Sequence, residues 1–169
     1  DYGLAPGVAK TYKKRYRSNL TSLIEVMDCA EHAKKTKEIF QTLTAENLIP
    51  TLDGSQAYTD REKALLIEAD VPEEILDKIQ SFSAKKATEE TDKATYQAME
   101  ALLHNLNTMH SRAGAQTPFS SINYGMDTST EGRMVMKNML LVTEAGLGNG
   151  ETAIFPIQIF RVKDGVNFN

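Results

Sequence analysis

The chain has 169 residues, 41% hydrophobic and 25% charged, an ordinary globular composition that excludes wholesale disorder and collagen-like repeats. Nineteen Lys and Arg against 23 Asp and Glu give a net charge of −4, which argues against a general nucleic-acid coater, and no run approaches the roughly 20 apolar residues of a membrane span. A single cysteine excludes a disulfide framework and a zinc site built from several cysteines, and it fits a reducing, cytoplasmic setting.

Pro6 suits a first helical turn. Beyond it Val8, Tyr12, Tyr16, Leu20, Leu23, Ile24 and Met27 recur every three or four residues, the stripe of an amphipathic helix. The pattern predicts that this helix runs on through Phe40 and Leu43, about 40 residues or roughly 60 Å. A helix of that length calls for a partner helix, often from a second subunit, so residues 1–50 are expected as a dimer region. Residues 51–87 change character. Thr59 and Glu62 fit a capping box for a short helix to about Ala69, and Pro72 opens another with Ile75, Leu76, Ile79 and Phe82 as its stripe. This stretch is expected as a peripheral helical insertion.

Residues 88–169 form the third expected division. Tyr96, Met99, Leu102, Leu103, Leu106 and Met109 mark a helix over 89–112. In Thr117–Tyr124 the period becomes 2, with Phe119, Ser121 and Asn123 on one face and Ser120, Ile122 and Tyr124 on the other. Thr128 and Glu131 predict a capped helix ending at Gly146. The apolar run Thr152–Val162 predicts a strand buried on both faces, and Lys163-Asp164-Gly165 a hairpin turn into Val166–Phe168. Strand, helix and strand at this spacing make a βαβ unit. Because the chain ends just after that turn, an excised piece of a longer protein is expected.

Few residues offer chemistry. Cys29 has the acidic neighbours Glu25, Asp28 and Glu31, which blunt a thiol, so it is read as inert. His104 and His110 are six apart, not the three or four of a helical metal pair, and no metal site is expected. The Gly146–Glu151 loop follows a helix and precedes a strand, the reverse of a phosphate-cradling loop. Two stretches keep two readings each. Lys10, Lys13, Lys14, Arg15 and Arg17 form either a solvated face or an anion site near a helix N-terminus. The strand Gln116–Tyr124 carries hydroxyls and amides on both faces, so it is either a water-facing edge or a ligand-facing wall.

The segment from His110 to Gly125 (HSRAGAQTPFSSINYG), with Glu144-Ala145-Gly146-Leu147-Gly148 and Thr152–Phe160 (TAIFPIQIF), resembles the anaerobic (class III) ribonucleoside-triphosphate reductases. Leu4-Ala5-Pro6 and Tyr12 resemble the start of a long helix in that family. The resemblance is continuous over 88–169, looser over 1–46 and weak over 47–87. It implies an α/β fold, part of a ten-stranded glycyl-radical-enzyme barrel that reduces ribonucleoside triphosphates to deoxyribonucleotides. It also implies a glycyl radical, formate as reductant, ATP and dNTP effectors, and zinc near the C-terminus, none of them carried by this segment. Implied partners are a second copy in a homodimer, a radical-SAM activating protein, and nucleotides as substrates and effectors, with no nucleic acid and no membrane. No catalytic residue transfers, since the radical cysteines and glycine lie outside these residues and Cys29 matches neither role. The resemblance points to Gln116, Ser120, Ser121 and Asn123 for substrate contact and to Lys10, Lys13 and Lys14 for effector phosphate. The alternatives are another glycyl radical enzyme of the pyruvate formate-lyase type, or a non-catalytic helical dimerisation module.

Overall fold

The structure, a computed structural model, describes residues 3–108 and 117–168. Its elements are α1 (Ala5–Met27), α2 (Ala30–Ala45), α3 (Gln56–Glu68), α4 (Glu73–Thr108), β1 (Ser121–Tyr124), α5 (Thr130–Ala145) and β2 (Ile157–Phe160). They fall into two compact units, Ala9–Thr91 and Asp1–Val8 with Asp92–Asn169.

In the first unit the expected 40-residue helix is broken. Cys29 adopts an extended conformation (φ −154°, ψ 158°) and starts α2, which turns back on α1. Thr21 and Thr36 share a hydroxyl hydrogen bond of 2.9 Å, and the Arg17 guanidinium donates to Thr44 Oγ1 at 2.9 Å. That guanidinium also lies 5.0 Å above the Phe40 ring. These pairs hold α1 and α2 as an antiparallel hairpin, so the partner helix comes from the same chain.

Periodicity alone could not show this, because both helices present an apolar stripe and the break carries no Gly or Pro. Leu20, Ile24, Leu43, Leu66, Leu76 and Ile79 are fully buried at the centre of the unit. Residues 51–87, expected at the periphery, thus supply Tyr58, Leu66, Val71, Leu76 and Ile79 to this core. Ser55, not Thr59, caps α3 by accepting from the Tyr58 amide, and Thr59 lies inside the helix bonded back to the Ser55 carbonyl. The two helices expected over 72–82 and 89–112 are one continuous α4 of 36 residues, Glu73–Thr108, and positions 109–112 of the second lie outside the described residues. Its Ala, Lys, Glu and Thr stretch between the apolar stripes is good helix, with Ala87 and Thr91 buried.

In the second unit β1 and β2 pair in parallel, Ser121 opposite Ile157 and Tyr124 opposite Phe160, with α5 as the crossover. The expected strand-helix-strand order therefore holds. Lys137 and Asn138 of α5 donate to Asp92 of α4, each at 2.8 Å, and Thr95 approaches Met134, which sets α5 antiparallel to that part of α4. Burial pushes the Asp92 carboxyl up, but the two donors outweigh it and hold it below its ordinary value. Ser129, not Thr128, caps α5 by accepting from the Gly132 amide at 3.0 Å. Gly146 ends the helix as expected, at φ 72°.

Two strand expectations are corrected. β2 covers only Ile157–Phe160 and is largely exposed, because among the described residues β1 is its one strand neighbour and α5 is fastened to one face alone. The predicted hairpin is a turn closed by the Gly165 amide on the Phe168 carbonyl, with a single Asp164–Phe168 bridge and no third strand among the described residues. The fold is thus mostly helical with a two-stranded parallel sheet.

Gly132 is required where the α5 cap meets the preceding loop. The Asp127 carboxylate accepts from the Ser129 amide at 2.9 Å and rests against Gly132, where a Cβ would overlap it. Gly132→Ala is expected to cost roughly 2–3 kcal/mol through that overpacking, read as a lowered denaturant midpoint with an unchanged m-value.

Candidate functional site

The two-stranded sheet has unlike faces. On one, Tyr124 packs edge-on against Phe160 (5.6 Å between ring centres) and donates to Gln158 Oε1 at 2.7 Å. Gln158 in turn donates to Thr143 of α5 at 2.6 Å, so this face is fastened to the helix through a polar chain. The other face presents Ser121, Asn123, Ile157 and Ile159, all exposed. Ser121 and Asn123 sit together on the open face. Ser120 falls on the opposite side, its hydroxyl buried without a hydrogen-bond partner. Gln116 lies outside the described residues.

An amide on α4 sets the height of β2. Asn107 Oδ1 accepts from the Ile154 and Phe155 amides at 2.9 and 3.0 Å, and Nδ2 donates to the Phe155 carbonyl at 2.6 Å. The side chain replaces the backbone of a neighbouring strand, immediately before the cis Phe155–Pro156 peptide. Sequence reading missed this residue, since an Asn near a helix end is common and its partners lie 47 and 48 positions away.

Lys10, Lys13 and Lys14 lie on α1 at i, i+3 and i+4 spacing, with Lys10 and Lys14 exposed and Lys13 half-buried. Steps of three and four put all three on neighbouring parts of one helical surface. None of them makes an ion pair among the described residues. Arg17, from the same basic run, is instead committed to α2 as described. Arg17, Lys34, Lys37 and Phe40 border a groove of about 610 Å³ between α1 and α2.

A buried carboxylate stands at the centre of the first unit. Glu62 has no exposed surface and accepts from Tyr16 (2.7 Å), Tyr58 (2.6 Å) and Gln80 (3.0 Å). Burial raises the Glu62 carboxyl above its ordinary value, and these three hydrogen bonds only partly oppose the rise. Burial, followed by the nearby carboxylate, likewise pushes up the Tyr12, Tyr16 and Tyr58 hydroxyls. A cavity of about 340 Å³ borders Tyr12, Tyr16, Tyr58 and Gln80. Read as a capping residue, Glu62 gave no sign of this role; its place four residues after Tyr58 was the available signal.

At the α1–α2 corner, Asp28, Cys29 and His32 each turn a donor atom to within 4.8 Å of the other two. His32 Nδ1 is 2.5 Å from Asp28 Oδ2. Spacing arguments confined to the other two histidines passed over this Cys-x-x-His pair.

These features define a helix-rich α/β segment with a βαβ unit, one open sheet face and a basic helix. A family profile described as anaerobic ribonucleoside-triphosphate reductase matches residues 1–169, and the chain belongs to that family. It is similar to the anaerobic ribonucleoside-triphosphate reductases of Salmonella typhimurium and Escherichia coli, 40% identical over 82 residues, which is 48% of this chain and 11% of either relative. The enzyme of that name from enterobacteria phage T4 is 40% identical over 82 residues, 48% of this chain and 13% of the relative. The matched stretch thus spans little more than a tenth of these relatives. No helix among the described residues is long and apolar enough to cross a membrane.

Proposed function

We propose that this chain is the part of an anaerobic ribonucleotide reductase that walls its substrate barrel and borders its effector site. Membership of the family over all 169 residues carries this reading. Such an enzyme converts ribonucleoside triphosphates to deoxyribonucleoside triphosphates by glycyl and thiyl radical chemistry, with formate as reductant. Residues 88–169 contribute to a ten-stranded barrel, the helix-covered side of the β1–β2 sheet outward and the Ser121–Asn123 side inward. Polar groups on the inner wall of a barrel suit a ribose, whose hydroxyls need partners once water is excluded. Residues 1–50 form the homodimer and effector region, and residues 51–87 buttress it. Zinc near the C-terminus and a radical-SAM activating protein belong to the complete enzyme, which works in the cytoplasm.

On this reading the chain's own residues bind and orient, and they do not react. Ser121 and Asn123 hold the substrate together with Gln116, whereas Ser120, expected beside them, falls on the outward side of the sheet and makes no substrate contact; Lys10, Lys13 and Lys14 meet effector phosphate. The test is anaerobic turnover by the complete, activated protein. Ser121→Ala and Asn123→Ala are expected to raise KM severalfold with kcat nearly kept. Reversing the three lysines to Glu should weaken dNTP effector binding roughly tenfold or more while leaving turnover without effector intact. The isolated 169-residue chain should be inactive. Unchanged KM and effector response in all of these variants would defeat the site assignments. Absence of ribonucleotide reduction by the activated complete protein would defeat the function itself.

A further inference from the structure

We propose that Asp28, Cys29 and His32 bind one divalent metal ion at the corner between α1 and α2, and that the ion suited to this donor set is zinc. A thiolate, an imidazole and a carboxylate together match a borderline-soft ion, and three protein donors leave a fourth position for water. Zinc bonds of about 2.0–2.3 Å in a tetrahedron place the donor atoms roughly 3.3–3.8 Å apart. The three donors already lie within 4.8 Å of one another, so small side-chain rotations close the site. All three residues are half-buried, enough to exclude most water and still admit an ion.

The backbone at Cys29 is an independent observation. Cys29 occupies the N-cap of α2 in extended conformation, and its side chain makes no capping hydrogen bond. Ser, Thr, Asp or Asn would normally fill such a position and satisfy one of the free helical amides. The thiol forgoes that bond and has no other hydrogen-bond partner among the described residues, so capping does not account for it. His32 Nδ1, in the first turn of the helix, already lies 2.5 Å from Asp28 Oδ2, so an ion bound by both would take the place of the proton they share. The three donors fall within a span of five residues, so little chain entropy opposes assembly. A bound ion would pin the end of α1 to the start of α2, where the chain reverses.

The inference does not depend on the reductase reading. The test compares zinc content and cobalt spectra of the full-length protein and its Cys29→Ser variant after saturation and desalting. Any zinc held elsewhere is common to both and cancels. The wild type is expected to carry one more equivalent of zinc per chain, and its cobalt form should show thiolate charge-transfer absorption that the variant loses. Serine is a favoured N-cap, so the variant should fold, with a melting temperature in chelator at least equal to the wild type. Zinc should then raise the melting temperature of the wild type alone. His32→Ala, which leaves the cap residue in place, should weaken zinc binding at least tenfold in competition with a chromophoric chelator. Equal zinc content and identical cobalt spectra in wild type and Cys29→Ser would overturn the proposal, as would unchanged affinity in His32→Ala.

Discussion

Replacing Glu62 by Ala is expected to lower the unfolding free energy by roughly 2–4 kcal/mol, measured as a drop in denaturant midpoint. The substitution strands three donors that now point at one carboxylate, the hydroxyls of Tyr16 and Tyr58 and the amide of Gln80. Each unpaired buried donor costs about 1–3 kcal/mol. Two effects keep the total below the sum. The cost of burying the carboxylate disappears with it, and Tyr16, Tyr58 and Gln80 border a cavity through which water can reach them. Removing both sides of the cluster, as in Tyr16→Phe with Tyr58→Phe and Glu62→Leu, should cost less than Glu62→Ala alone, because no orphaned hydroxyl remains. A triple variant less stable than the single one would mean that the cluster stabilises by more than mutual satisfaction.

The same carboxylate sets a pH dependence. Its folded value lies above the 4.5 of the unfolded chain, so the folded state holds the proton more tightly. The stability this adds is fully present below the unfolded value and is lost as pH rises through the raised folded one. Melting temperature should therefore fall across that window relative to Glu62→Gln, which has no proton to lose. Parallel curves for the two proteins would remove Glu62 as the cause.

The α/β order and the family were legible because they are written in local signals. Period-2 alternation with a terminal Gly125 marked β1, and Gly146 marked the end of α5. The α1–α2 reversal was illegible for a physical reason. Its determinants are long-range, Arg17 onto Phe40 and Thr44 and Thr21 onto Thr36, while the corner Asp28-Cys29 contains no helix-breaking residue. The merging of the short helix after Pro72 with the 89–112 helix into α4 was missed for the opposite reason. A polar stretch between two apolar stripes looks like a boundary, yet its residues have ample helix propensity. For the candidate site, the sidedness of Ser121 and Asn123 followed from alternation alone. The roles of Glu62 and Asn107 could not, because each depends on partners from other elements.

Asn107 carries the second large expected effect. Asn107→Ala should lower stability by roughly 2–3 kcal/mol, since three hydrogen bonds to the chain before β2 vanish at about 0.5–1.5 kcal/mol each and a fourth, to Leu103, goes with them. Asn107→Asp is the sharper variant. It keeps an acceptor for the Ile154 and Phe155 amides but turns its second oxygen toward the Phe155 and Leu103 carbonyls, so two attractive contacts become repulsive. It should be at least as destabilising as Ala despite its near-identical shape. Hydrogen exchange separates local from general loosening. The Ile154 and Phe155 amides should lose protection in both variants, whereas the Arg161 amide, bonded at 2.8 Å to the Tyr124 carbonyl at the far end of the sheet, should change much less. If Asn107 fixes the level of β2 beside β1, and the open face is the substrate side as proposed, complete enzyme carrying Asn107→Asp should also lose substrate affinity, because Ile157 and Ile159 share that face with Ser121 and Asn123. Equal loss of protection at Phe155 and Arg161 would instead mean that Asn107 holds the second unit together as a whole and has no special hold on that strand.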